Sequence, residues 1–149
     1  MGSKFLLSTL FSVSLLIFSS CGTKVAPVSE RIAKIYTASS VKENGSVVFN
    51  KTGTSNIKPG YESYKMDLSS PPKVTIKDVD GGTYTGTYSV TANELTIIGL
   101  TPQPTGTSGN LNFTITTLSD TGTDLILTAK QTYPKTGNTT NVYTLVSSN

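Results

Sequence analysis

The chain has 149 residues, 36% of them hydrophobic and 14% charged, and its 12 Lys and Arg against 9 Asp and Glu leave a formal charge of +3. That length holds one domain with a modest core, and so little charge is unlike charged disorder. The basic excess is small and scattered, with no run or stripe to grip nucleic acid, and a chain without histidine lacks the usual general base and the commonest metal ligand.

The N-terminus reads MGSKFLLSTLFSVSLLIFSSC. Lys4 supplies a positive start, Phe5 to Phe18 an apolar stretch diluted by Ser and Thr, and Ser19 and Ser20 a small-residue site before Cys21, the only cysteine. The run is too short to span a membrane and suits a secretory leader. Phe18-Ser19-Ser20-Cys21 resembles a bacterial lipobox. That resemblance implies a signal peptide over 1–20, cleavage before Cys21 and a diacylglyceryl group on its thiol. The other reading is a plain signal peptide with a spare thiol. Gly22 in place of Asp, by resemblance to lipoprotein sorting signals, implies an outer-membrane, periplasm-facing address. Residues 21–31 then form the lipidated N-terminus and a short flexible tether, and 32–149 the folded domain.

Ser29 is placed to cap a short helix over Ser29 to Ile35. Beyond it the chain reads as strand and punctuation. Ile35 to Lys42 forms a first strand, Asn44-Gly45 a tight hairpin turn, and Ser46 to Asn50 its return. A polar loop covers 51–60, and Tyr64, Met66 and Leu68 then share a face. Val74 and Ile76 alternate with Thr75 and Lys77; Asp80-Gly81-Gly82 turns the chain; Tyr84, Gly86, Tyr88 and Val90 oppose Thr83, Thr85, Thr87 and Ser89. Leu95 and Ile97 follow the Thr91-Ala92-Asn93 turn, with Thr96 and Ile98 opposite. After a Pro/Gly/Thr loop over 101–110 come Leu111, Phe113 and Ile115, then Leu125, Leu127 and Ala129, and finally Val142, Thr144 and Val146. Short strands at roughly ten-residue spacing with short turns predict an all-β antiparallel up-and-down meander. About eight strands, each with one dry and one wet face, close into a barrel or, alternatively, stack as a β-sandwich.

The runs Tyr64-Lys-Met-Asp-Leu-Ser-Ser, Val74-Thr-Ile, Asp80-Gly81-Gly82-Thr-Tyr-Thr-Gly86-Thr-Tyr88-Ser-Val, Asn93-Glu-Leu95-Thr-Ile and Phe113-Thr-Ile-Thr-Thr-Leu-Ser-Asp120 resemble the lipocalin-like domain of small Bacteroidetes-type lipoproteins. The resemblance spans most of residues 32–146 and implies an up-and-down barrel with no cofactor. Where lipocalins proper open on Gly-x-Trp, this chain has Ala33-Lys34-Ile35-Tyr36.

Asp120-Thr121-Gly122 spells the triplet with which an aspartic protease presents its carboxylate. That chemistry needs two carboxylates sharing a proton, and a symmetric dimer can supply the second. The family's apolar-apolar-Gly segment should follow the active-site loop, whereas Ile97-Ile98-Gly99 precedes it, so the triplet reads as a hairpin turn. Asp78-Val79-Asp80-Gly81-Gly82 echoes the start of a calcium loop without its flanking helices or closing Glu, and reads as a tight turn. Asn44, Asn112 and Asn138 lie in glycosylation-like triplets that carry no meaning in a bacterial lipoprotein. Of the seven tyrosines, at 36, 61, 64, 84, 88, 133 and 143, most fit strand spacing and a core or lining role rather than a recognition platform, with Tyr61 and Tyr64 set apart near a loop.

These readings describe an outer-membrane-tethered, non-enzymatic barrel. Its partner is the membrane through Cys21, with a small apolar ligand inside or, alternatively, an envelope protein docked on a filled barrel, and no nucleic acid, metal or cofactor. Phe113, Tyr84, Tyr88 and Leu127 on inward faces favour a filled interior.

Overall fold

A computed structural model describes residues 24–148; the leader and Cys21 lie outside them. Nine strands follow one short helix: α1 (Val28–Arg31), β1 (Ile35–Glu43), β2 (Ser46–Asn50), β3 (Lys65–Ser70), β4 (Lys73–Lys77), β5 (Thr83–Val90), β6 (Glu94–Thr101), β7 (Leu111–Leu118), β8 (Asp124–Ala129) and β9 (Asn141–Ser147). From β3 onward each strand pairs antiparallel with the next, and β9 returns to pair with β1 along Tyr36 to Glu43. The sheet is therefore a closed barrel of β1 and β3–β9, not a sandwich.

The extra strand, β2, arises because β1 is longer than its partner. β3 covers only Ile35 to Thr37, and β2 folds back over Ser40 to Glu43 on the same edge. Asn44 and Gly45 both take positive φ, 48° and 82°, the geometry that a two-residue hairpin requires and that Asn-Gly tolerates. The outer edge of β2 is not left bare. Lys58 N donates to the Val48 carbonyl at 3.0 Å, and Asn50 N donates to Asn56 Oδ1 at 2.8 Å, so the 51–60 loop occupies the edge that could otherwise recruit a second chain.

Alternation decides what fills the barrel. Tyr36, Val41, Met66, Leu68, Val74, Ile76, Leu95, Ile97, Phe113, Leu125, Leu127 and Leu145 are all at most 3% exposed and belong to one continuous cluster. Threonines take the outer face: Thr75, Thr83, Thr85, Thr87, Thr114 and Thr116 are exposed, where a β-branched hydroxyl suits both strand and water. β9 runs out of phase with the expectation. Its buried residues are Asn141, Tyr143 and Leu145, whereas Val142, Thr144 and Val146 sit on the outer face. The valines mislead because an outward β-branched residue is tolerated, while the inward line begins with a polar residue that closes the barrel end.

The two ends of the barrel are built differently. At one end lie α1, the β7–β8 turn and the start of β1. At the other, called the mouth here, lie the β1–β2 hairpin, the 3-10 turn Pro59–Ser63, the β4–β5 turn and the loops before β7 and β9. The helix is shorter than expected, and its N-cap is Pro27 with no side-chain cap, so Ser29 falls inside its first turn. Residues 26–31 are not free tether. Arg31 donates from Nε to Ala26 O at 2.9 Å and from Nη1 to the carbonyls of Leu118 and Ser119, each at 3.0 Å.

The β9 phase gives a direct test. Leu145→Ala should cost about 2–5 kcal/mol in a denaturant titration, and Val146→Ala under about 1 kcal/mol. Equal losses would mean that the register is wrong.

Candidate functional site

The mouth gathers what polar chemistry the barrel buries. Three charged or amide side chains descend into it: Glu43 ends β1, Asp78 follows β4, and Asn141 opens β9, each at most 6% exposed. Each is paired. Glu43 accepts from Tyr61 Oη at 2.9 Å and from Lys58 Nζ at 2.5 Å, and Lys58 also donates to Thr136 O at 3.2 Å. Asn141 accepts from Thr139 Oγ1 at 2.7 Å and donates to Tyr143 Oη at 3.0 Å. Asp78 accepts from its neighbour's amide, Val79 N, at 2.7 Å and from Tyr133 Oη. Buried polar groups cost little only when paired, so these three nets let a polar layer close an apolar barrel.

Lys135, in the 3-10 turn Pro134–Thr136, bolts the loop before β9 to the β4–β5 turn. Its ammonium donates to Asp80 and to Tyr84 Oη, lies 3.6 Å from Asp78, and sits 4.5 Å from the centroid of the Tyr84 ring. Burial alone would lower the Lys135 pKa; Asp80, Tyr84 and Asp78 outweigh it and hold it above the ordinary lysine value. The hydrogen bond from Lys135 in turn pulls Asp80 below the usual carboxylate range. The calcium-like turn is thus organised around an ammonium ion, and among the described residues no three metal-ligating side chains converge.

Between these nets lies a small pocket walled by Tyr64, Tyr84, Phe113, Ala129, Tyr133 and Tyr143, with Asp78, Pro104 and Gln131 among its lining. Its space open to the centre of a water molecule is about 20 Å³, room for roughly one water. Its aromatic walls pack on one another, and the buried apolar side chains of the barrel form one continuous cluster. Tyr64 and Tyr143 stack at 5.1 Å between centroids, and Phe113 meets Tyr143 edge-on at 6.0 Å. The large side chains expected on the inward faces are there, Phe113, Tyr84, Tyr88 and Leu127 all being buried.

All seven tyrosines are buried. Four lie in strands, Tyr36, Tyr84, Tyr88 and Tyr143, while Tyr61, Tyr64 and Tyr133 reach the core from the segments between them. Asp78 reads in the sequence only as part of a turn, and the other polar members, Glu43, Lys58, Lys135 and Asn141, carry no spacing signal of their own. The one available clue is Asn141 in phase with Tyr143 and Leu145.

Asp120 is elsewhere, at the opposite end of the barrel in the β7–β8 turn, with 79% of its side chain exposed and Arg31 Nη1 3.7 Å away. The triplet exists for Gly122. At φ 70° its backbone passes so close to α1 that a Cβ there would lie 2.0 Å from Arg31 O, and its carbonyl accepts from Tyr36 Oη at 3.0 Å. Of the glycosylation-like asparagines, Asn44 Oδ1 accepts from Thr140 N at 2.9 Å, Asn138 holds a positive φ of 59° before β9, and Asn112 lies in β7 beside the pocket.

Burial raises the pKa of Tyr36 to about 12 and pushes Tyr61, Tyr64, Tyr133 and Tyr143 well above the free value, 10.0. The native state therefore keeps protons that an unfolded chain sheds above pH 10, and the resulting stability is intact below pH 10 and lost as pH rises through the native values. Tyrosinate absorbance should rise together with loss of the β circular-dichroism signal in one alkaline transition. Titration near pH 10 with the β signal intact would contradict this burial.

No family model and no curated protein matches the sequence. Two solved structures resemble the fold. A lipocalin-like protein from Bacteroides uniformis is 15% identical, with 79% of this chain and 99% of that chain covered at a TM-score of 0.52. An uncharacterized protein from Bacteroides eggerthii is 12% identical, with 77% and 98% covered at a TM-score of 0.47. With the barrel's closure, the first likeness establishes the fold: this chain is an antiparallel, lipocalin-like barrel of eight strands with one strand added.

Proposed function

We propose that this is a non-enzymatic protein of the bacterial envelope, tethered to the outer membrane through lipid on Cys21 and facing the periplasm, whose barrel is a filled scaffold and whose mouth recognises the end of a small apolar ligand. The observation that carries the ligand reading is the tyrosine-walled pocket above a continuous apolar core. Its walls are largely ring faces and a methyl group, which reward an apolar occupant, while Asp78 and Gln131 at its margin can orient a single polar atom. The tight packing beneath admits only the tip of a ligand. A lipobox ahead of a folded domain supports the anchor.

The second reading is an assembly protein that uses its outer surface and binds no small molecule. The pocket's present size, about 20 Å³, favours it.

One set of variants separates these readings. The parent should incorporate labelled fatty acid and Cys21→Ser should not; a parent without the label, or a variant that still takes it up, sinks the anchor. Ala129→Phe fills the pocket from its wall. If the ligand reading holds, a panel of small aromatic and aliphatic compounds will include one that quenches tyrosine fluorescence saturably in the parent, with at least tenfold weaker binding in Ala129→Phe, a loss of about 1.4 kcal/mol. No saturable binder, or equal binding by a folded Ala129→Phe variant, favours the assembly reading.

A further inference from the structure

The way α1 is clamped fixes which end of the barrel an anchor would hold. Arg31 binds the tether at Ala26 and the β7–β8 turn at Leu118 and Ser119 with one guanidinium. Gly122 leaves no room between that turn and Arg31 O, and the next residue, Ile32, is fully buried. Two further links lock the same end: Leu68 N donates to Lys34 O at 2.9 Å and Ser148 N to Ile35 O at 3.0 Å. The chain thus meets the barrel rigidly at Ala26, at the end opposite the mouth.

Only Gly22, Thr23, Lys24 and Val25 separate Cys21 from Ala26. Fully extended, that stretch reaches at most about 18 Å. β1 climbs from Ile35 at the anchored end to Glu43 at the mouth, about 26 Å along the strand and about 20 Å along the axis at the usual barrel tilt, before the mouth loops add their own height. A leash leaving from the far end is too short to run up the outside and bring the mouth down to the lipid.

We infer that the Arg31 clamp holds the barrel with its mouth turned away from the bilayer, so that the mouth pocket is filled from the aqueous phase and not by a membrane lipid. This rests on the anchor at Cys21 and on the mouth as the recognition site. It narrows the ligand to a molecule that crosses water by itself or on a carrier.

The chain contains no tryptophan, so a single introduced indole reports alone. Thr121 lies exposed in the β7–β8 turn and Thr105 exposed at the mouth. Thr121→Trp and Thr105→Trp are each placed in the full mature lipoprotein and reconstituted into phosphatidylethanolamine–phosphatidylglycerol vesicles carrying a headgroup nitroxide. Indole fluorescence should be quenched several-fold more in the Thr121→Trp variant than in the Thr105→Trp variant. Equal quenching, or stronger quenching at position 105, overturns the orientation. Mass spectrometry of the same preparations shows whether Cys21 carries acyl chains. If it does not, the anchor reading falls, and a maleimide lipid coupled to the free Cys21 thiol puts the orientation to the same quenching test.

Discussion

The pairing of β1 with β9 is the constraint on which the molecule depends. Without it the meander is an open sheet with two bare edges and a greasy face. With it the edges vanish and one face of every strand becomes interior. The closure explains why so ordinary a composition suffices: the strands need only alternate, because geometry turns alternation into a core. It also sets the cost. A barrel of this size has an interior that side chains can fill, and Tyr36, Phe113, Leu127 and Tyr143 fill it. What remains for chemistry is the rim.

The two rims divide the work. The rim beside α1 is sealed by backbone and one guanidinium, with Tyr36 and Arg31 tying β1 and α1 to the β7–β8 turn. The mouth is sealed by paired polar side chains, some of them, such as Lys58 and Lys135, reaching partners on another element and others, such as Asn141, bonded within the loop before β9. Lys135 joins the β4–β5 turn to the loop before β9, and Lys58 joins the end of β1 to the same loop. Buried ion pairs add little net stability but lose much when one partner goes, so such a seal is specific. The pocket lies among these loops.

The period of two was most legible in the sequence in β3, β4 and β5, where apolar residues line one face and polar ones the other, although Val47, Ile98 and Ile126 break it elsewhere by standing opposite the inward residues. The barrel was reached ahead of the sandwich through the family resemblance and not through the alternation, which both satisfy, since closure is a long-range pairing between the first and last strands. β9 failed for a local reason: Val142 and Val146 outvote Asn141 by hydropathy, although Tyr143 and Leu145 are the inward residues. The Asp120 turn and the Asp78 turn were both read as turns, but the sequence could not say that Gly122 makes room for α1 or that Asp78 and Asp80 share an ammonium. Those facts depend on partners remote along the chain, Arg31 and Lys135, which arrive from other elements only when it folds.

Native-state hydrogen exchange of the β1 amides tests closure most directly. In the closed barrel, amides of Tyr36 to Glu43 that are bonded to β9 should exchange only through global unfolding, with protection matching that of the central strand β8. Exchange of those amides at the rate of a frayed edge, while β8 stays protected, would mean that β1 and β9 are two free edges and that the barrel does not close.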